Sequence, residues 1–494
     1  MGKVFYTYFN SDNINTITNS IEGKKEYSCI IPYHSDDSEL LISRSILSLL
    51  KTFNKHKYHH KISIIANELV SSADMINITR IFFQEKNYNS LTESDYEKGV
   101  EALFNSCFIE DFNKKIAYIK IDLKASNSNF SIKLETNSPI NPIDKELIEK
   151  TKLLANSNNI YDILRYSEKQ HRTTGYGFLI SILLLKSMNL RSEIIQVLSE
   201  DDKTRIELNI PLNDIVINNH EQISNDVLNE IINLPQFPDS IMRLQKEIMD
   251  PEWDYSRISD FILSDSSLTA EVLRLVNSPV YRIEDPIDKV SIAVKKIGIN
   301  GLKSILYTFG ALEILEKNYD FLKIKTFKDH LFQVALISSY LANKMGLDIF
   351  CEDIYVAALM HDIGKIIIFA LEPEIEEKIN SINQSKKLPL DIIDNIFDGY
   401  NHSIIGSKLA EKWNFPEKYI KSIKYHHTPD IVPDEYKIIT YCVYLGNEIY
   451  HTIVDENKYC NIDPDVLGFF NFESLENFNQ FIKELRSQGI VMDL

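Results

Sequence analysis

The hydrophobic pattern divides the chain into a mixed first part and a helical second part. In residues 38–53 and 61–83 apolar positions recur with a period near 3.6, which predicts two helices. In IAYIKIDL and FSIKLET they alternate with polar positions, which predicts strands. A third helix is predicted at residues 177–188, and SEIIQVLSE and RIELNIPL then alternate like a hairpin. The predicted order is helix, helix, strands, helix, hairpin.

The pattern changes after Pro211. A polar stretch, NNHEQISND, follows, and from Val227 onward the chain is predicted to be almost entirely helical, with prolines between the helices. We therefore predict an α/β two-layer sandwich at residues 1–212, a linker at 213–225 and an all-α domain at 226–430. A helical extension at 431–494 is expected to pack on the all-α domain.

Composition narrows the function classes. A chain of 494 residues is longer than one hydrophobic core usually organises, so more than one domain is expected. The apolar fraction of 44% and the charged fraction of 25% fit a folded soluble protein. The net charge of -18 argues against a nucleic-acid partner, because phosphate binding needs clustered Lys and Arg. No apolar run approaches the ~20 residues of a membrane span, and no secretory signal is visible, so we expect a cytoplasmic protein. The five widely spaced cysteines fit reduced thiols.

The strongest chemical signal is AALMHDIGKIII, where His361 and Asp362 end an apolar helical stretch. Imidazole and carboxylate together suit a divalent ion such as Fe, Mn, Zn or Mg. Other histidines begin or end nearby amphipathic helices. The candidate metal ligands are His330, His361, Asp362, His402, His426 and His427. Any one of them alone is more often a cap, a surface residue or a core hydrogen-bonder, and only their joint apolar setting favours ligands.

The order of these motifs resembles the HD superfamily of metal-dependent phosphohydrolases, and within it the HDOD family, the HD-related output domain of bacterial signalling proteins. The resemblance covers residues 226–430, from NLPQFPDS through the HD pair to HSIIGSKLAEKWNFP and HHTPD. It implies an all-α HD-type domain with a regulatory role. Lys365, in the HDIGK run, would then lie near a phosphate or at a solvated helix end.

Two departures bear on catalysis. Hydrolytic HD enzymes generally close the site with a further Asp after the HH pair, and the matching stretch TYCVYLGNEIY offers Asn447. An amide brings no charge to offset a divalent ion, so we expect weaker metal binding. The GYP-type motif of the cyclic-di-GMP phosphodiesterases is absent after His427.

The first domain resembles a degenerate histidine-kinase-like ATPase fold. HKISIIANELVSSADMI is similar to its N-box helix, with Glu68 in the glutamate position and Ser72 where that family has Asn. TTGYGFLISILLLKSM is similar to the ATP lid, so Gly175 and Gly177 would face phosphates at a helix N-terminus. A DxGxG loop for adenine is not evident, and no phosphoacceptor helix precedes the N-box, so we expect neither ATP binding nor autophosphorylation.

These observations favour a cytoplasmic signalling protein that acts through protein interactions of its HDOD domain. Its partners would be other signalling proteins, including a second copy of the chain, and a metal at His361 and Asp362 would be a structural pin. The alternative is a metal-dependent phosphohydrolase acting on a nucleotide or cyclic dinucleotide. A DNA-binding regulator is disfavoured by the acidic balance.

Overall fold

The structure is a computed structural model, and it divides the chain into two units, Met1–Asn219 and His220–Leu494. The residues that it describes are 20–21, 23–88, 93–106, 108, 117–156, 174–200, 202–215, 223–235, 254–277, 286–319, 321–371, 400–454, 462–472 and 474–491. Parts of the predicted linker and of the NLPQFPDS motif lie outside these ranges.

The first unit combines one sheet with helices. Its elements in chain order are β1 (Glu26–Ile31), α1 (Asp36–Lys51), α2 (His59–Lys86), α3 (Glu93–Phe104), β2 (Ile119–Ala125), β3 (Asn129–Thr136), α4 (Pro142–Asn156), α5 (Thr174–Ser187), β4 (Ile195–Glu200) and β5 (Lys203–Pro211). The α/β class predicted for this part is confirmed.

The sheet is antiparallel throughout, in the order β1-β2-β3-β5-β4. Alternate side chains of β3, such as Phe130 and Leu134, are buried, and α1 and α2 contact β2 and β3. On the other face, charged side chains pair across strands, with Lys133 Nζ 2.9 Å from Glu207 Oε1. The period-2 pattern thus places apolar residues against helices and charged residues toward solvent.

Strand β1 and helices α3 and α4 were not predicted. In β1 only Tyr27, Cys29 and Ile31 alternate as buried positions, which is a short local signal. The strand is held by antiparallel pairing with β2, where Ile31 lies opposite Ile119. Because that partner is far away in sequence, a local pattern does not predict the pairing.

Helix α2 contacts α1 and α5 and carries a buried histidine, His59, at its start. The Nε2 atom of His59 lies 2.9 Å from the Ser43 carbonyl oxygen and 3.1 Å from Ser43 Oγ. No described residue is hydrogen-bonded to its Nδ1 atom. Burial lowers the pKa of His59 to about 3, because the charged, protonated ring is less stable in the protein interior than in water.

Acid should therefore destabilise the first unit through His59. Between pH 6.5, the ordinary pKa of histidine, and pH 3, His59 is protonated in the unfolded chain and neutral in the folded chain. The free energy of unfolding therefore falls as the pH drops from about 6.5 toward 3. Between pH 7 and pH 5 this one group should cost about 2 kcal/mol. Urea unfolding at both pH values should show a smaller acid loss for His59→Gln than for wild type. A matched control is His56→Gln, and equal acid losses in wild type and both variants would refute the assignment.

The second unit is helical in every described range. Its helices are α6 (Asn225–Asn233), α7 (Tyr255–Leu263), α8 (Ser266–Val276), α9 (Val290–Asn318), α10 (Phe321–Lys344), α11 (Cys351–Met360), α12 (Ile363–Leu371), α13 (His402–Lys412), α14 (Glu417–Tyr425), α15 (Lys437–Val454), α16 (Pro464–Phe469) and α17 (Leu475–Ser487). Helix α9 is interrupted at Gly298, whose φ of 73° favours glycine. The all-α class predicted for this half is confirmed.

One helical stretch of the second unit, Asp348–Leu371, is long and apolar enough to cross a membrane. Each apolar run within it, taken separately along the sequence, is shorter than a membrane span. In the structure 78% of the stretch's 18-residue apolar window is buried inside the protein. It includes α11 and α12, so its hydrophobicity is that of a core.

The end of the chain packs on α10. The Tyr340 hydroxyl donates to Glu484 Oε1 at 2.7 Å, Lys344 pairs with the same carboxylate, and Phe481 lies against the Tyr340 ring. Helix α15 also packs on α10, so closely that a Cβ at Gly446 would lie 2.0 Å from Ser338 Oγ. Among the described cysteines, Cys29, Cys351 and Cys442 are buried free thiols, and the other two lie outside the described residues.

Candidate metal centre

Helix ends supply five of the six candidate ligands. His361 and Asp362 lie between α11 and α12, His402 is the first residue of α13, and His426 and His427 follow α14. His330 differs, since it lies inside α10. The Asn401 side chain caps α13 by accepting a hydrogen bond from the Ile404 amide, which fixes where that helix begins.

Helices α12 and α13 approach each other through glycine. A Cβ atom at Gly364 would lie 2.1 Å from the His402 carbonyl oxygen and 2.7 Å from the Gly406 nitrogen. Only a residue without a side chain permits this contact. The glycine after the HD pair therefore allows His402 to reach Asp362.

The first set of ligands, His330, His361 and Asp362, is called the three-donor group. The Nε2 atom of His330 lies 3.1 Å from Asp362 Oδ2 and 3.4 Å from His361 Nε2. The distance from His361 Nε2 to Asp362 Oδ2 is 3.3 Å. Three donor atoms thus face one point from α10 and from the junction of α11 and α12.

The second set, Asp362, His402, His426 and His427, is called the four-donor group. Its Nε2 atoms are close: His402 lies 3.2 Å from both His426 and His427. Asp362 contributes its other oxygen, with Oδ1 2.8 Å from His402 Nε2 and 3.4 Å from His426 Nε2. Asp362 is therefore shared between the two groups, one oxygen to each.

The ring orientations leave lone pairs directed at the shared centre. The Nδ1 atoms of His361 and His426 donate to the carbonyl oxygens of Ala358 and Ile423, at 2.6 and 2.7 Å. A carbonyl can only accept, so Nδ1 carries the proton and Nε2 of the neutral ring has a lone pair. This is the tautomer that binds a metal through Nε2.

Burial keeps three of the imidazoles neutral. It lowers the pKa of His330 and of His426 to about 3, and it lowers the pKa of His427 well below its usual value. Burial alone would raise the pKa of the Asp362 carboxyl, but the neighbouring His361, Lys365 and His402 hold it well below its usual range. The result is an ionised carboxylate beside three neutral imidazoles, those of His330, His426 and His427.

These residues fit a divalent metal ion. Metal–nitrogen bonds of about 2.1 Å in a tetrahedral site separate the ligand atoms by about 3.4 Å, close to the separations found here. No described residue donates a hydrogen bond to Asp362 Oδ1, although this atom is fully buried. Lone pairs this close repel one another unless a cation lies between them, so the cluster can hold an ion.

Each group has one partly exposed histidine. His361, Asp362, His402 and His426 are 0% exposed, whereas His330 and His427 are partly exposed. Lys365 is also partly exposed, and its Nζ atom lies 2.6 Å from Asp362 Oδ2, on the oxygen of the three-donor group. Lys365 is thus an ion-pair partner of the centre, and its charge lies on the side of the three-donor group.

Two further residues of α15 lie beside the three-donor group. The rings of Tyr450 and His451 are 4.6 and 5.3 Å from the His330 ring. One turn earlier, Asn447 is 1% exposed, and neither atom of its amide has a hydrogen-bond partner among the described residues. Sequence reasoning singled out Asn447 but not Tyr450, because spacing along the chain does not show which aromatic residue meets His330.

The structure also brings together three of the four residues proposed for nucleotide binding. Gly177 lies in the first turn of α5, where a Cβ would be 2.3 Å from Ser72 Oγ and 2.6 Å from the Glu68 carbonyl oxygen. Gly175 is the second residue of the same helix. Gly177 is therefore needed for the packing of α5 on α2, whether or not a nucleotide binds.

An all-α unit whose helix ends gather histidines around an adjacent His-Asp pair defines an HD-type domain. Residues 234–429 match the sequence model of the HDOD domain, a signal-transduction-associated HD-related family. This part of the chain is an HDOD domain, and the match to that family predicted from the motifs is confirmed.

Similar proteins span this domain or more. An uncharacterized protein of Treponema pallidum (strain Nichols) is 24% identical over 459 residues, 91% of this chain and 89% of that protein. A crystal structure of an HDOD domain protein with unknown function from Geobacter sulfurreducens has a TM-score of 0.41 and 24% identity, over 53% of this chain and 94% of that chain. A Shewanella amazonensis SB2B protein proposed to be a phosphohydrolase has a TM-score of 0.40 and 20% identity, over 54% and 96% of the two chains.

Proposed function

We propose that this chain is a cytoplasmic bacterial signalling protein whose HDOD domain acts through regulated protein interactions. In this proposal the His/Asp centre binds a divalent metal as a structural pin and does little or no chemistry. The partners are other signalling proteins, including a second copy of the chain.

The observation that carries the proposal is the four-donor group. It offers three imidazole nitrogens and one carboxylate oxygen, which is a complete tetrahedral set. Structural metal sites are closed in this way, whereas catalytic sites keep a position open for water or substrate. An ion there would tie together α13, the end of α14 and the junction of α11 and α12.

The donor types narrow the metal. Three imidazoles and one carboxylate suit Zn, Fe or Mn better than Mg, which prefers oxygen ligands and retains its waters. The neutral imidazoles of His426 and His427 lose no proton on binding a metal, so metal affinity should remain high at neutral pH.

The three-donor group supports the alternative function, a metal-dependent phosphohydrolase. It is partly exposed, it leaves a coordination position open, and the Lys365 ammonium adjoins it. If an ion binds there, it supplies an activated water, and Lys365 is placed to attract a phosphate oxygen. Asn447 argues against this function, because a neutral amide adds no negative charge to the three-donor group to offset a divalent ion.

For the first unit we propose a regulatory input that keeps an ATPase-like fold without ATP turnover. The buried Glu68 carboxylate supports this, since its Oε2 lies 3.2 Å from the Cβ position of Gly177, near the N-terminus of α5. A carboxylate there satisfies the helix dipole that would otherwise attract phosphate.

Metal analysis and hydrolysis assays test the proposal together. Protein purified without chelators should contain about one Zn, Fe or Mn per chain. His402→Ala should lose the ion, because His402 belongs to the four-donor group, whereas His330→Ala should keep it. Neither wild type nor His330→Ala should hydrolyse bis-p-nitrophenyl phosphate or cyclic di-GMP above the level of the Asp362→Ala variant.

Different results select the alternative. Two metal ions per chain, with hydrolysis that disappears in His330→Ala, would establish the phosphohydrolase. A folded wild type without metal, also after incubation with Zn²⁺ or Mn²⁺, would rule out both roles for the centre.

A further inference from the structure

Helix α6 packs on α12 and α13, and Lys412 of α13 holds its carbonyl end. A helix leaves its last four carbonyl groups without partners inside the helix. At the end of α6, Lys412 Nζ lies 2.5 Å from the Ile231 oxygen, 2.8 Å from the Ile232 oxygen and 2.5 Å from the Leu234 oxygen. A lysine ammonium has three N–H donors, and the three carbonyl oxygens at the end of α6 accept all of them.

The neighbouring residue strengthens the attachment. Trp413 Nε1 donates to the Pro235 oxygen at 3.1 Å, and the Trp413 side chain is buried. The four carbonyls held by these two residues lie within five consecutive positions of the chain. We call the contacts of Lys412 and Trp413 with residues 231–235 the α6 clamp.

The clamp and the metal centre lie at opposite ends of one rigid helix. Lys412 is the last residue of α13 and His402 is the first, about 15 Å away at 1.5 Å per residue. The first turn of α13 presses on α12 at Gly364, immediately after Asp362. A displacement of α13 therefore changes the 2.8 Å separation of His402 Nε2 and Asp362 Oδ1.

Helix α6 is well placed to receive a signal. It is the first described helix of the second unit, next to the predicted linker at 213–225. Val227 and Ile231 are buried, while Leu228 and Ile232 are 42% and 63% exposed. It also packs on α12, and among the described residues it makes one polar contact besides the clamp, from the Tyr319 hydroxyl to Glu230 Oε1 at 2.7 Å.

We propose that the α6 clamp couples the position of α6 to metal affinity. Release of α6 would leave His402 less firmly positioned and lower the affinity of the centre for the ion. The inference rests on the proposed metal centre and adds its regulation. Coupling is reciprocal, so metal binding must also hold α6 more firmly. Lys412 acts here as a positioning residue, through α13, and does not touch the ion.

The test compares Lys412→Met with Lys408→Met. The first variant keeps the aliphatic stem and removes the three donors, and the second changes an exposed lysine of the same helix that pairs with Glu411. Zn²⁺ affinity is measured by competition with a chelator. Hydrogen–deuterium exchange of residues 225–235 is measured with and without Zn²⁺.

We expect Lys412→Met to bind Zn²⁺ about 5-fold to 100-fold more weakly than wild type, within the usual range of coupling between sites. Zn²⁺ should slow exchange in α6 of wild type and of Lys408→Met, and should not slow it in Lys412→Met. Lys412→Arg, which still donates to carbonyls, should restore most of the affinity. If Lys412→Met does not fold, Trp413→Phe should show the same effects in smaller size.

The outcomes separate the two proposals. Zn²⁺ binding by wild type with equal affinities in both Met variants, and equal metal dependence of exchange, would overturn the clamp and leave the metal centre intact. A wild type that binds no Zn²⁺ would end both proposals.

Discussion

Replacing Asp362 with asparagine should abolish tight metal binding. Asp362 gives one carboxylate oxygen to the three-donor group and the other to the four-donor group, so no second residue can replace it. Loss of groups that merely support a metal ligand commonly costs about 10-fold to 100-fold in affinity, and loss of a shared, charged ligand should exceed about 100-fold. The measurement is metal per chain after dialysis, followed by competition titration with Zn²⁺.

Asp353→Asn is the matched control for this prediction. Asp353 lies on α11 and accepts hydrogen bonds from Lys418 and Tyr419, outside the ligand groups. This variant should keep its metal even if it loses stability. An Asp362→Asn protein that retained one ion per chain would show that the four-donor geometry does not bind metal as we propose.

Replacing Asn447 with aspartate should lower the stability of the metal-free protein and raise its affinity for metal. Without metal, a carboxylate at this 1% exposed position would have no hydrogen-bond partner among the described residues, and an unpaired buried charge commonly costs about 3–5 kcal/mol. With metal, the same charge lies on the α15 face that carries His451 beside His330, and it should raise affinity in the three-donor group by about 10-fold or more.

Thermal unfolding with and without Mn²⁺ measures both effects. The metal-free variant should unfold at a lower temperature than wild type, and Mn²⁺ should raise its midpoint by more than it raises that of wild type. Asn477→Asp, which adds the same charge at an exposed position of α17, should change neither quantity. An equal Mn²⁺ effect in Asn447→Asp and wild type would show that Asn447 does not face the centre.

Local patterns predicted most helices and four of the five strands. The long apolar run of α2, which is buried on nearly all sides, and the alternation in β3 and β5 are strong local signals because they extend over many residues. Strand β1 was missed because its stability comes from pairing with β2. Local patterns also did not predict the contact of α6 with Lys412, because it joins residues 178 or more positions apart.

The sequence by itself determined the chemistry of the centre: six potential ligands, one carboxylate among five imidazoles, in the order of an HDOD domain. Ligand types and their order are local properties, so they could be predicted from one chain. Tertiary structure alone decided that Asp362 is shared, that the Nε2 atoms face inward and that Tyr450 and His451 flank His330. These facts depend on helix packing through Gly364 and on carbonyls that orient the rings, and such contacts exist only after distant segments have come together.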